Sequence, residues 1–148
     1  MSLADESMPS ANAVMAGVLY QLGLYVDRAD YIAMSSAMLA KMGKQVSRSV
    51  PYMSHWAALI GLRVYGTNEI VITGRDAIAK NLEMQGRYWP QNLYLGSVDE
   101  ENLPLMAGKF VKDKTYIYAC INRTCKRPVE TVEEAVKQLP AYAQDFGR

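Results

Sequence analysis

The apolar residues of this chain change their period once, near Gly66, and that change limits the folds open to it. Before Gly66 they recur at helical spacing; after it, β-branched runs alternate with shorter helical stretches. The expected fold class is therefore mixed α and β. A helical hairpin segment over 1–66 precedes a small two- or three-layered α/β unit over 67–148, with about three mainly parallel strands. The 148 residues leave room for a real core in one domain or two small ones.

In the first segment, Pro9-Ser10 before Ala11-Asn12-Ala13-Val14 reads as a helix start with Ser10 as N-cap. Met15, Leu19, Leu22 and Val26 share one face, and Val14, Val18 and Tyr25 widen the apolar surface. A helix this apolar all round needs cover on most sides. A second helix is expected from about Asp30 to Gly43, with Tyr31, Met34, Met38 and Met42 as its core stripe. A third follows Ser49-Val50-Pro51, with Met53, Trp56, Ala57, Ile60 and Val64 inward and His55 off the stripe at the surface.

In the second segment, Ile70-Val71-Ile72 reads as a strand buried on both faces. Asp76 opens a helix to about Tyr88, with Ile78, Leu82 and Gln85 inward, and Leu93-Tyr94-Leu95 forms the next strand. Strand, helix and strand in some 25 residues make a βαβ unit. After a connection from Ser97 to Lys112 comes a strand from Thr115 to Cys120. A last helix runs from about Thr131 to Leu139, with Thr131 as N-cap and Glu133 and Glu134 in its first turn.

Composition excludes several classes of function. Half the residues are apolar, and 16 basic against 15 acidic side chains leave a charge of +1. Disorder is excluded, and a nucleic-acid partner is not expected without a clustered positive excess. Met1-Ser2-Leu3 does not open a signal peptide, and the apolar stretch Ala11–Val26 is short for a bilayer span, so no membrane partner is expected. Two cysteines do not make a secreted disulfide scaffold, and with the one histidine they do not complete a zinc site. A cytoplasmic protein without metal or cofactor is the expectation.

Three places could carry chemistry. Gly74-Arg75-Asp76 offers an anion site at a helix start, but one glycine and an aspartate argue for an ordinary turn. Cys120 stands at the end of a strand and Cys125 in the following loop, beside Arg123, Lys126 and Arg127, which favour a thiolate. A local disulfide, a redox pair and two unlinked structural thiols all fit this spacing. The third place is Asp5 to Asn12, where Ser10 serves as a cap and Asp5 and Glu6 could do acid or base work in a suitable cavity. No complete acid–base pair, triad or cofactor loop is present, so the catalytic residues are unassigned.

Taken together, these regions resemble the carboxyl-terminal part of the spermatogenesis-associated, thioredoxin-domain-containing protein family. The family's Asp-Gly-Ala-x-Pro-Ser-Gly-Asn-Ser stretch corresponds to Asp5, Pro9, Ser10 and Asn12, with Glu6, Ser7, Ala11 and Ala13 departing from it. Leu24 to Tyr31 matches a second stretch loosely. Glu69 to Gly74, Tyr88-Trp89-Pro90-Gln91, Leu103-Pro104-Leu105 and Gly108-Lys109 follow in family order. The most specific part is Tyr118-Ala119-Cys120-Ile121-Asn122-Arg123-Thr124-Cys125-Lys126-Arg127-Pro128-Val129, similar to Tyr-Val-Cys-x-Asn-x-Thr-Cys-x-x-Pro-Val.

The resemblance runs from about Asp5 to Leu139 and implies a fragment. Its helices would be the last of an (α/α)6 barrel of the six-hairpin glycosidase type, similar to N-acylglucosamine 2-epimerase. The expected role is a non-catalytic portion that closes this barrel. One alternative is part of a carbohydrate-active enzyme, with Asp5, Ser10 and Asn12 contributing to a sugar pocket. Another is a thiol redox accessory module using Cys120 and Cys125. The expected partners are the remainder of the parent chain, a sugar ligand bound by the parent protein and, for the isolated chain, a second copy of itself.

Overall fold

The computed structural model describes residues 3–140 and divides into two compact units, Met1–Tyr65 and Gly66–Arg148. The first holds α1 (Ala11–Tyr25), α2 (Ala29–Arg48), a 3-10 turn (Val50–Tyr52) and α3 (Ser54–Tyr65). The second holds β1 (Asn68–Thr73), α4 (Ala77–Gln85), β2 (Asn92–Ser97), β3 (Tyr116–Ile121), β4 (Thr124–Cys125) and α5 (Val132–Gln138).

Small residues bring the first two helices of this unit together. On α1 the buried face is Ala13, Ala16, Tyr20, Gly23 and Leu24, which corrects the expected stripe of Met15, Leu19, Leu22 and Val26. Small side chains let α2 come close: Ser35 Oγ donates to the Ala16 carbonyl at 2.7 Å. A Cβ at Gly23 would lie 2.6 Å from Ile32 Cγ1, so the α1–α2 corner requires glycine there. Helix α2 runs five residues past the expected stop at Gly43, because Val46 in the added turn is buried beside Met42. Met34 of its expected stripe faces solvent. On α3 the inward side chains are Trp56 and Leu59, while Val64 is exposed. Arg63 links all three helices, stacking 4.9 Å from the Tyr20 ring and donating to Ser36 Oγ at 2.9 Å.

The second unit is a four-stranded sheet in the order β2-β1-β3-β4. Only β1 and β2 run parallel; β3 is antiparallel to β1, and β4 to β3. The sheet is thus mixed, which corrects the expectation of three mainly parallel strands. A parallel return needs a crossover of the kind α4 supplies between β1 and β2. The connection 98–115 contains no helix, so β3 comes back antiparallel beside β1.

One sheet face carries Ile70, Ile72, Ile117 and Ala119, packed with Ala77 and Met84 of α4 and Val132 and Ala135 of α5. Ile78 and Leu82 of α4, expected inward, are exposed. The small Ala77 faces the sheet instead, and Asn81 sits so close to Gly96 that a Cβ there would lie 3.0 Å from Asn81 Nδ2. Alternation places Glu69, Val71, Leu93, Leu95, Tyr118 and Cys120 on the opposite face. The 98–115 connection ties down there, its Lys109 carbonyl accepting from Thr73 Oγ1 at 2.8 Å and from the Tyr118 hydroxyl at 2.9 Å. Gly74, at φ +119, ends β1 against this connection: a Cβ would fall 2.0 Å from the Lys114 carbonyl oxygen.

Candidate functional site

Asp5 is buried in the helical unit and both of its carboxylate oxygens are engaged. Oδ1 accepts from the Ser10 backbone N–H at 2.8 Å; Oδ2 accepts from the Ser54 hydroxyl at 3.0 Å and the His55 backbone N–H at 2.9 Å. These donors, the backbone N–H of His55 first and then that of Ser10, hold its carboxyl below the usual range. Ser10 precedes α1 and Ser54 opens α3, so one carboxylate gathers the starts of two helices, where a negative charge is favoured. The Asp5 N–H donates to the Tyr52 carbonyl at 2.8 Å, and Trp56 Nε1 to the Leu3 carbonyl at 2.9 Å, which fixes the strap from the other side.

Of the expected Asp5, Ser10 and Asn12 group, the fold therefore brings Asp5 and Ser10 into contact, through the Ser10 backbone. The Ser10 side chain makes no cap bond to α1, although the residue holds the N-cap position. Asn12 lies half-buried in the first turn of that helix. The His55 side chain is at the surface; its backbone N–H makes the hydrogen bond to Asp5, and the imidazole adds a minor electrostatic pull on the carboxyl. The arrangement suits a structural clamp: an ionised carboxylate with its lone pairs engaged is a poor base.

The second site is built by the sheet. Cys120 and Cys125 form a disulfide between directly opposed positions of β3 and β4. Of the arrangements that their spacing permits, the fold selects the local disulfide. The hairpin turn is Asn122-Arg123, with φ of 49° and 64°, a two-residue left-handed turn of the type that joins tight hairpins. Neither residue is glycine, so the turn needs an anchor. Glu69 provides one, its Oε2 accepting the Arg123 backbone N–H at 3.0 Å.

Glu69 is the residue that sequence reasoning missed. It lies on the central strand at 1% exposure, opposite Cys120 in the β1–β3 register. Burial pushes its carboxyl above the usual range, partly offset by the Arg123 N–H and by the nearby charges of Arg123 and Lys109. A lone acidic residue just before Ile70-Val71-Ile72 was the available signal, since a carboxylate in a strand buried on both faces needs a partner.

The Gly74-Arg75-Asp76 turn is an ordinary strand-to-helix turn, with Arg75 3.5 Å from Asp76 and the Asp76 N–H donating to Thr115 Oγ1. Among the described residues no three His, Cys, Asp or Glu side chains are grouped to hold a metal ion. Among them, too, no helix is long and apolar enough to cross a membrane. No family model, curated protein or solved structure matches this chain.

Proposed function

We propose that this chain is a non-catalytic portion of a larger thioredoxin-domain-containing protein, whose helices complete a helical barrel of the carbohydrate-enzyme type. The observation that carries this is the outer face of α1. Val14, Met15, Val18 and Leu22 are 40–53% exposed on a helix whose other face is packed. Such a stripe gains stability when further helices cover it, at about 25 cal/mol per Å2 of apolar area buried. The engaged carboxylate of Asp5 also fits a framework role better than acid–base catalysis.

Sedimentation and hydrophobic-dye binding test this. The isolated chain is expected to self-associate or bind dye, and Met15→Glu with Val18→Glu to suppress both. A wild-type chain that sediments as a monomer and binds no dye refutes it.

A second reading, a thiol redox accessory role, is supported by the paired Cys120 and Cys125. Cys125 is half-buried, and both residues line a pocket of about 240 Å3, so a small reductant has a way in. Alkylation and mass spectrometry before and after dithiothreitol measure whether the pair opens and closes reversibly.

A further inference from the structure

The row Glu69–Cys120–Cys125 crosses three adjacent strands. Glu69 is the register partner of Cys120 on one side, and Cys125 is its partner on the other. Directly opposed residues project to the same face, with Cβ atoms about 4.5–5.5 Å apart. The carboxylate and the two sulfurs therefore occupy one line on one face of the sheet. Glu69 and Cys120 are each 1% exposed, so a negative charge on the Cys120 sulfur would be dry and beside a carboxyl group. The other titratable or charged groups toward Glu69 are Tyr118 on β3, Arg123 in the turn and Lys109 in the 98–115 connection; β2 contributes the apolar Leu93.

We propose that Glu69 hands a proton to the Cys120 sulfur when the Cys120–Cys125 bond opens, making this row a proton-coupled dithiol–disulfide centre. This rests on the redox reading of the pair. The electrons come from an external dithiol. Its thiolate attacks Cys125 Sγ, the more accessible sulfur; a bond forms between these two sulfurs, and the Cys120–Cys125 bond breaks with its electron pair leaving on Cys120 Sγ. Protonated Glu69 gives its proton to that sulfur and recovers one from solvent. The reductant's second thiol then attacks its own sulfur in the mixed disulfide and releases Cys125, which takes the second proton. The reductant ends as a disulfide and the chain as a dithiol, with two electrons and two protons transferred.

Two anions held this close in a dry site do not coexist readily, so a neutral Glu69 is what allows Cys120 to leave. The same carboxyl group anchors the Arg123 N–H, so the turn stays in place while the bond opens. Glu69 thereby joins the chemistry of the pair to the geometry of its hairpin.

The test is the rate of reduction by dithiothreitol, followed by thiol labelling in the full chain and divided by the concentration of reductant thiolate, across pH 4.5–8. In the wild type this normalised rate is expected to fall roughly tenfold or more as Glu69 ionises. In Glu69→Gln, which keeps an acceptor for Arg123, it should be flat. Parallel profiles for the two proteins overturn the role of Glu69 and leave the redox reading standing. A disulfide that dithiothreitol cannot open, with the chain still folded by circular dichroism, overturns both. Should the variant fail to fold, carboxyl NMR of the wild type decides: the Glu69 titration must move between the oxidised and reduced chains, and an unmoved titration overturns the proposal.

Discussion

Strand β1 and helix α1 are both strongly apolar segments, and the fold treats them in opposite ways. All six residues of β1 are buried, with α4 and α5 on one face and the 98–115 connection tied across the other. Helix α1 has two helices for neighbours and leaves Val14, Met15, Val18 and Leu22 in the open. The difference lies in the number of sides that a short chain can cover. Two pleated faces can be closed by the few elements of one small unit, whereas the full circumference of a helix needs more partners than two.

The comparison can be tested first at its largest contrast. Ile70→Ala, at a fully buried position of β1, is expected to destabilise the sheet unit by about 2–5 kcal/mol in chemical denaturation. If Ile70→Ala proved as mild as a surface change, the close-packed description of β1 would fail. A smaller loss, about 2 kcal/mol, is expected for Asp5→Ala, which removes the acceptor of three hydrogen bonds from the helical unit. Circular dichroism should then show loss of helix before loss of sheet. The smallest effect belongs to Val18→Ala on the outer face of α1, within about 0.5 kcal/mol for the monomeric chain.

Acid should also separate the two units, because their buried carboxyls shift in opposite directions. Asp5 lies below its ordinary value of 3.8, so its contribution is present above that pH and is lost as pH falls through the lower folded value. Glu69 lies above its ordinary 4.5, so its contribution is full below that pH and is lost as pH rises through the higher folded value. Lowering pH from 6 toward 3 is expected to weaken the helical unit at its acid end and to favour a protonated Glu69 in the sheet. Thermal melts of Asp5→Asn and Glu69→Gln against pH should each flatten one of these trends.

Much of this architecture was legible from residue order. The change of period near Gly66 falls where helix α3 gives way to strand β1. Thr131 with Glu134 was a sound helix start: the Thr131 hydroxyl oxygen accepts the Glu134 N–H at 3.3 Å, at the head of α5. Helix faces were less legible. On α1 and α4 the packed face is not the expected apolar stripe: Ala13, Ala16 and Ala77 permit close approach and are buried with Tyr20, Leu24 and Met84, while Met15, Ile78 and Leu82 stay exposed. Strand β4 has only two residues, too few to establish a period, so Cys125 reads from sequence as a loop residue.

Local chemistry along the chain thus determined the kind, order and approximate limits of the main elements, since capping and apolar period act over a few residues. It also placed Cys120 and Cys125 near enough to join. Tertiary structure decided that they do join, by pairing β4 with β3 in a register that sets them opposite each other. It decided the part of Asp5, whose donors at Ser54 and His55 lie some fifty residues away, and that of Glu69, which meets Arg123 fifty-four residues on. Hydrogen bonds of such span depend on how the elements pack, and no local pattern encodes them.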